Sequence, residues 1–210
     1  MIQATSLLSW ATKAQPSSVQ AAIAALEKNG ITAQLVTTKE DAKKAILALI
    51  PDGSEIMTMT SVTLDELDLT KELNESGRFK SVRQTLSGMD RNTQKKEMRA
   101  LGTVPMYAIG SVHAVTEQGE LLIASNTGSQ LSAYVYGAEK VILVVGTQKI
   151  VSNLDSGMKR VYEHSFPLES ERAKKAYGVP GSNVSKLLII SKEVQPGRLS
   201  VIFVDDVLGF

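Results

Sequence analysis

Val141 to Val145 is an unbroken aliphatic run ending at Gly146, and it constrains the fold more than any other stretch. Consecutive apolar residues leave no polar face, so a strand made of them must be covered on both sides, as at the centre of a parallel sheet. The flanking chain supplies the covers. Ser17-x-x-Gln20 reads as a capping box, Val19, Ala22, Ile23 and Leu26 fall at helical spacing, and Asn29-Gly30 is a stop. Ile31 to Val36 alternates as a strand. Thr38-x-x-Asp41 then caps a helix with Ala42, Ala45, Ile46 and Leu49 inward, and Pro51-Asp52-Gly53 turns into a strand over Ser54 to Met59. Leu69 to Ser76 is helical, Phe79 to Val82 a short edge strand, Asp90 to Ala100 a charged helix and solvated face, and Pro167 to Tyr177 a helix ended by Gly178. Lys186 to Ser191 and Leu199 to Val204 are expected to form a hairpin through Pro196-Gly197.

The expected fold is therefore α/β, a mostly parallel sheet with helices on both faces plus antiparallel hairpin strands. With 210 residues, 43% of them hydrophobic, the chain suits one domain over residues 1–210. Residues 1–15, carrying Leu7, Leu8 and Trp10, are expected to form an amphipathic helix that docks on the body or on a second copy in a homo-oligomer.

Several classes fall away. A net charge of +1 and 5% aromatic residues give no footprint for nucleic acid. The chain has no cysteine, which excludes disulfides, cysteine zinc sites and cysteine-ligated iron-sulfur clusters, and its two histidines, His113 and His164, lack local metal-ligand spacing. Neither a dinucleotide fingerprint nor a P-loop occurs. No cofactor is expected on this chain. The amino terminus has no signal-peptide pattern and no apolar run nears the ~20 residues that span a bilayer, so a cytoplasmic protein without membrane contact is expected.

The chemistry is expected around Ala108 to Tyr136. Val112 to Thr116 and Glu120 to Ala124 read as a hairpin. A two-residue loop would set Glu117 opposite Glu120, so a three-residue loop with Gly119 left-handed is preferred, and Glu117 then stands free at the tip. A solvated turn residue is the simpler account of it. Ser125-Asn126-Thr127-Gly128-Ser129-Gln130 follows, then a short helix, an arrangement that offers backbone N–H groups to an anion or merely caps the helix. Thr60, Ser61 and Thr63 arrive where a parallel strand gives way to a helix, although Thr63-x-x-Glu66 also reads as a capping box. Lys149 lies before Ser152-x-x-Asp155, which reads as a helix start, and extends into water unless an anion is near. His113 is expected to be partly buried, able to donate to a ligand.

The segments VHAVTEQGELLIASNTGSQ and EKVILVVGTQKIVSNLDSGMKRV resemble the LUD domain, named for lactate-utilisation proteins and single-domain in its LutC-like members. The resemblance runs from about Ile50 to the terminal Leu-Gly-Phe. It implies the fold of the NagB/RpiA/coenzyme A transferase-like group, in whose transferases the nucleophilic glutamate occupies a Glu-x-Gly turn. By that resemblance Glu117 is the catalytic candidate. Gly119, the Thr60–Thr63 loop, the Asn126–Ser129 loop and Lys149 are candidates for binding a small anionic metabolite, although the glycines of the isomerase phosphate loop are missing from TSVTLDEL. The expected function is utilisation of lactate or a related small organic acid. A non-catalytic subunit of an iron-sulfur or flavin lactate-oxidising complex, a coenzyme A transferase-like enzyme and a sugar-phosphate isomerase-like enzyme stand as alternatives.

Overall fold

In the computed structural model, which describes residues 10–210, the aliphatic run is the seventh strand, Lys140–Gly146, and it lies inside a parallel sheet. The chain begins with α1 (Pro16–Lys28), β1 (Thr32–Val36), α2 (Lys39–Ala48) and β2 (Glu55–Thr58). Then come α3 (Val62–Asp65), α4 (Leu69–Glu75), β3 (Lys80–Ser81), α5 (Val82–Ser87), α6 (Lys95–Thr103) and β4 (Tyr107–Gly110). A hairpin of β5 (Ala114–Thr116) and β6 (Leu121–Ser125) leads through a π-helical turn, Ala133–Gly137, into β7 (Lys140–Gly146) and β8 (Ile150–Val151). The chain closes with α7 (Leu154–Arg160), a π-helical turn at Val161–Ser165, α8 (Phe166–Tyr177), β9 (Lys186–Ile190) and β10 (Leu199–Val204).

Two sheets result. The six-stranded sheet runs β1-β10-β7-β4-β2-β3 with every pair parallel, and the second runs β8-β5-β6-β9 with β5 and β9 antiparallel to β6. Alternate residues of β7 divide between two cores, as the period of two requires. Val141, Leu143 and Val145 join Val19, Ala22 and Leu26 of α1 and Val115, Leu121 and Ile123 of the second sheet. Ile142 and Val144 join Ala42 and Ile46 of α2 and Leu64, Leu69 and Leu73. The outer face of the second sheet, Ala114, Leu122 and Ala124, packs against Val161 and Met158. This is the α/β architecture expected, in which the aliphatic run cannot be solvated on either side.

The hairpin loop is the expected three-residue one. Gly119 N–H donates to Thr116 O at 2.9 Å and Gly119 has φ +84°. Thr38 caps α2, its hydroxyl accepting from Asp41 N–H at 3.0 Å.

Other expectations are corrected. β9 and β10 do not pair with each other: β9 joins β6, while β10 inserts between β1 and β7. The α1 start rests on Pro16 at the first helical position, with no side-chain cap from Ser17. Ser61, not Thr63, caps α3, and Asn153, not Ser152, caps α7. The charged helix begins at Lys95 with none of its residues buried, because Asp90 instead accepts from Asn92 N–H and the Thr93 hydroxyl in a turn. Of the expected amino-terminal docking helix, residues 1–9 lie outside the described residues. Trp10 to Gln15 is turn and irregular chain, with the Trp10 ring tilted against His164 at 6.1 Å between centroids.

Candidate functional site

The strands β2, β4 and β7 all end at one edge of the parallel sheet, and the chain that follows each end carries hydroxyls. Thr60 and Ser61 follow β2, Ser111 follows β4, and the short 3₁₀ turn Thr147–Lys149 follows β7. Open α/β sheets present their ligand sites at this edge. The turn after Gly146 rotates Lys149 inward rather than into water, and its side chain is only 2% exposed. Its ammonium donates to Thr63 Oγ1 at 2.9 Å, Ser111 Oγ at 3.1 Å and Val112 O at 3.2 Å. All three donors are therefore used. No carboxylate of a described residue is in salt-bridge reach of it. Burial, and to a lesser degree the Arg160 charge, push the Lys149 pKa down to about 7, while Glu66 opposes the shift.

The chain after β10 covers this lysine. Leu208 O accepts from Gln148 Nε2 at 2.8 Å and from the Thr63 hydroxyl at 3.3 Å, and Gly209 N–H donates to Glu66 Oε2 at 2.9 Å. Gly209 has φ +59°, and a Cβ there would lie 2.5 Å from Thr63 Oγ1 and 3.4 Å from Lys149 Nζ. Only glycine fits so close to the pair without strain.

The open side of the edge holds Arg83, from α5. Its guanidinium donates to Thr58 O and, at 3.4 Å, to Thr60 Oγ1, without a salt bridge to any described residue. Desolvation lowers its pKa, opposed by Tyr177, Asp65 and Tyr134. Tyr134 is buried and its phenol crosses Gly110, the residue before Ser111, where a side chain would collide with it. Burial raises the phenol pKa, so it is a neutral donor at ordinary pH.

Behind Lys149 lies a second buried cation. Arg160 is fully buried, donating to His113 O, to Ser165 Oγ at 3.0 Å and to Trp10 O at 3.4 Å, with its Nε unpartnered. His113 Nδ1 accepts from Ala124 N–H at 3.1 Å, which fixes the neutral tautomer with the proton on Nε2. Desolvation, followed by the charges of Lys149 and Arg160, pushes the His113 pKa down to about 3, and desolvation with Arg160 and Lys149 pushes His164 to about 4. Both imidazoles are neutral at physiological pH.

The sequence-predicted residues divide between two ends of the hairpin. Thr60, Ser61, Thr63 and Lys149 meet at the strand-end edge. β6 runs back toward His113, and the Ser125–Gln130 loop that follows it is satisfied internally and by β9. There the Asn126 side-chain Oδ1 accepts from Ser185 Oγ at 3.2 Å, the Thr127 hydroxyl donates to Ser129 Oγ at 3.1 Å, and Gly128 N–H donates to Ser125 Oγ at 2.8 Å. Glu117 sits at the far tip. Its N–H donates to Val151 O at 2.9 Å, and the tip packs on the carboxyl end of α1, where Asn29 Nδ2 donates to Gln118 O at 3.0 Å. No hydrogen bond or ion pair joins the Glu117 carboxylate to another described residue.

Sequence reasoning missed Ser111, Arg83, Tyr134 and Arg160. Only the apolar–Gly–Ser break after β4 signals Ser111, and the other three lie within helical or π-helical runs that look structural. Among the described residues no cluster of three histidine or carboxylate side chains is placed to hold a metal, and no helix is long and apolar enough to cross a membrane. Two surface depressions, one beside Phe79 and Gln84 and one beside Glu27 and Pro196, contain none of the residues at this edge.

A parallel sheet with a second, hairpin-based sheet against it and polar groups gathered at the strand ends defines an α/β protein. The LUD domain family model matches residues 19–204, and the chain belongs to that family. The match begins well before Ile50, where the resemblance read from sequence starts. A crystal structure of a DUF162 family protein from Deinococcus radiodurans shares the fold, with a TM-score of 0.58 at 13% sequence identity, covering 92% of this chain and 99% of that one. No curated protein matches the chain.

Proposed function

We propose that this LUD-domain protein takes the anion of a small organic acid, of the lactate and pyruvate class, at the carboxyl edge of β2, β4 and β7. One observation carries the reading: two cations, Arg83 and Lys149, serve the same strand-end edge among the hydroxyls of Thr60, Thr63, Ser111 and Tyr134, and neither is in a salt bridge with a described residue. An unpaired buried cation costs several kcal/mol, on the order of the penalty for any poorly compensated buried ion, and an anionic ligand offsets it. The carboxylate of the ligand is assigned to Arg83 and Thr60 on the open side, with Lys149 beneath it.

A thermal-shift screen against lactate, pyruvate, acetyl-coenzyme A and ribose 5-phosphate tests this, because a ligand that binds only the folded state raises Tm by mass action. The expected result is a shift with the small acids that Arg83→Gln removes and Glu117→Gln leaves in place. A shift abolished by Glu117→Gln and kept in Arg83→Gln would move the site to the hairpin tip and revive the coenzyme A transferase-like reading.

A second reading is favoured by an apolar patch on the opposite side of β4. Val104 and Met106, which follow α6, and Val135 and the 81% exposed Tyr136 of the π-helical turn are all exposed, and α6 packs near that turn. On this reading the chain is a subunit docked on an iron-sulfur or flavin oxidoreductase. Retention of that enzyme by the wild-type chain and not by Tyr136→Glu supports it.

A further inference from the structure

We infer that Ser111 and Lys149 form a nucleophile–base dyad that transfers the acyl group of an ester or thioester of a small carboxylic acid. This goes beyond the binding proposed above but rests on the same edge for the acid portion.

The geometry has the parts such a pair requires. Ser111 is partly exposed at the end of β4, while its partner lies inside, 3.1 Å from Ser111 Oγ. The base is held in place by two further acceptors, Thr63 Oγ1 at 2.9 Å and Val112 O at 3.2 Å. The Leu208–Gly209 segment shields it from water on the other side. Burial therefore places the amine near neutrality at physiological pH, as a general base requires. The contacts described are those of the protonated, resting pair, in which Lys149 donates to Ser111 and the Ser111 hydroxyl donates to Val144 O at 2.6 Å. Loss of one proton from Lys149 gives Nζ a lone pair toward the hydroxyl.

The reaction then balances without any oxidant or reductant. Ser111 Oγ adds to the acyl carbonyl carbon as its proton passes to Lys149 Nζ, and the Tyr134 phenol, which lies against Gly110 next to Ser111, donates to the carbonyl oxygen. The bond to the leaving alcohol or thiol breaks, and that group takes the proton from Lys149. Water repeats the sequence in reverse roles, giving the free acid and restoring Ser111.

The test uses the full-length chain with two probes, p-nitrophenyl acetate and acetyl-coenzyme A, followed by intact mass and peptide mapping. The expected result is one acetyl group on the Ser111 peptide, released by hydroxylamine as an ester is and as an acetylated lysine is not. Its rate should rise with pH through an apparent pKa near that of Lys149, about 7. Ser111→Ala should abolish that label. Lys149→Arg keeps the positive charge but cannot accept the proton, and should slow the labelling by about 100-fold or more and erase the pH dependence. Labelling by the thioester alone names a thioester substrate, and labelling by both names a general acyl acceptor. A folded wild-type protein with no Ser111 ester under either probe overturns the dyad, as does equal labelling in Lys149→Arg. A lactate shift without acylation removes the dyad and leaves the binding site standing. Acylation without any small-acid shift does the converse.

Discussion

Replacing Lys149 by methionine should flatten the stability of this protein against pH above neutrality. The folded state holds the Lys149 pKa at about 7 against the ordinary lysine value of 10.5, so between those values the unfolded chain binds a proton that the folded chain does not. Stability therefore rises with pH across that window, the burial penalty being fully present below about 7 and gone above about 10.5. Integrating the difference from about pH 7 to pH 9 gives a gain of about 2 kcal/mol from this one group. The groups facing it are Arg160, which deepens the shift, Glu66, which opposes it, and His113, already neutral throughout the window. Urea unfolding followed by circular dichroism at three pH values measures the slope. The methionine variant should lack the rise, whatever its absolute stability after loss of three hydrogen bonds. Parallel curves for the two proteins would show that Lys149 is hydrated or paired in solution, and both the anion site and the dyad would lose their physical basis.

Arg198→Ala should cost about 3 kcal/mol in urea unfolding, because it strands the partly buried Glu193 carboxylate, now 2.7 Å away, and the carbonyls of Ala133, Tyr134 and Ala138. Gly209→Ala should cost about 1–3 kcal/mol for placing a side chain at φ +59° against Thr63, seen as a lower Tm. The histidines should stay unprotonated to well below pH 6 by NMR, since their folded pKa values are about 3 and about 4. Stability should correspondingly fall as pH drops from the unfolded histidine value of about 6.5 toward 4, because only the unfolded chain takes up protons there. Histidine signals that titrate with ordinary values would contradict the burial of both rings.

What the sequence made legible was whatever its local chemistry decides. The Val141–Val145 run could only be a doubly covered strand, Thr38 could reach only the N–H groups of its own helix, and Gly119 was needed for the left-handed end of a three-residue loop. The errors lie where a distant partner decides. Thr63 has the spacing of a cap, but its hydroxyl is taken by an ammonium 86 residues away, and Ser61 caps the helix in its place. β9 and β10 are two apolar strands around a Pro-Gly turn, which locally reads as a hairpin. Their separation into two sheets depends on edges supplied by β6, β1 and β7. Lys149 follows a glycine turn and looks solvated in sequence because the segment that buries it comes some sixty residues later, as the Gln148–Leu208 separation of 60 positions indicates.

The hairpin explains why the conspicuous carboxylate and the less visible lysine belong to different ends of the molecule. β5 starts beside the strand-end edge, just after Ser111, and β6 returns to it, so the turn between them points away toward Asn29 at the opposite end of α1. β8 pairs with β5 in the parallel sense, Val115 opposite Ile150, which anchors Lys149 one residue before the pairing begins. The same short ladder thus holds Lys149 at the Ser111 end of β5 while carrying Glu117 beyond its other end. A reaction at the edge has no use for Glu117, and a reaction at the tip has no use for Lys149. Of the two, the edge has the cations, the hydroxyls and the shielding that the proposed small-acid chemistry would use, and the tip has a carboxylate that no hydrogen bond or ion pair joins to another described residue.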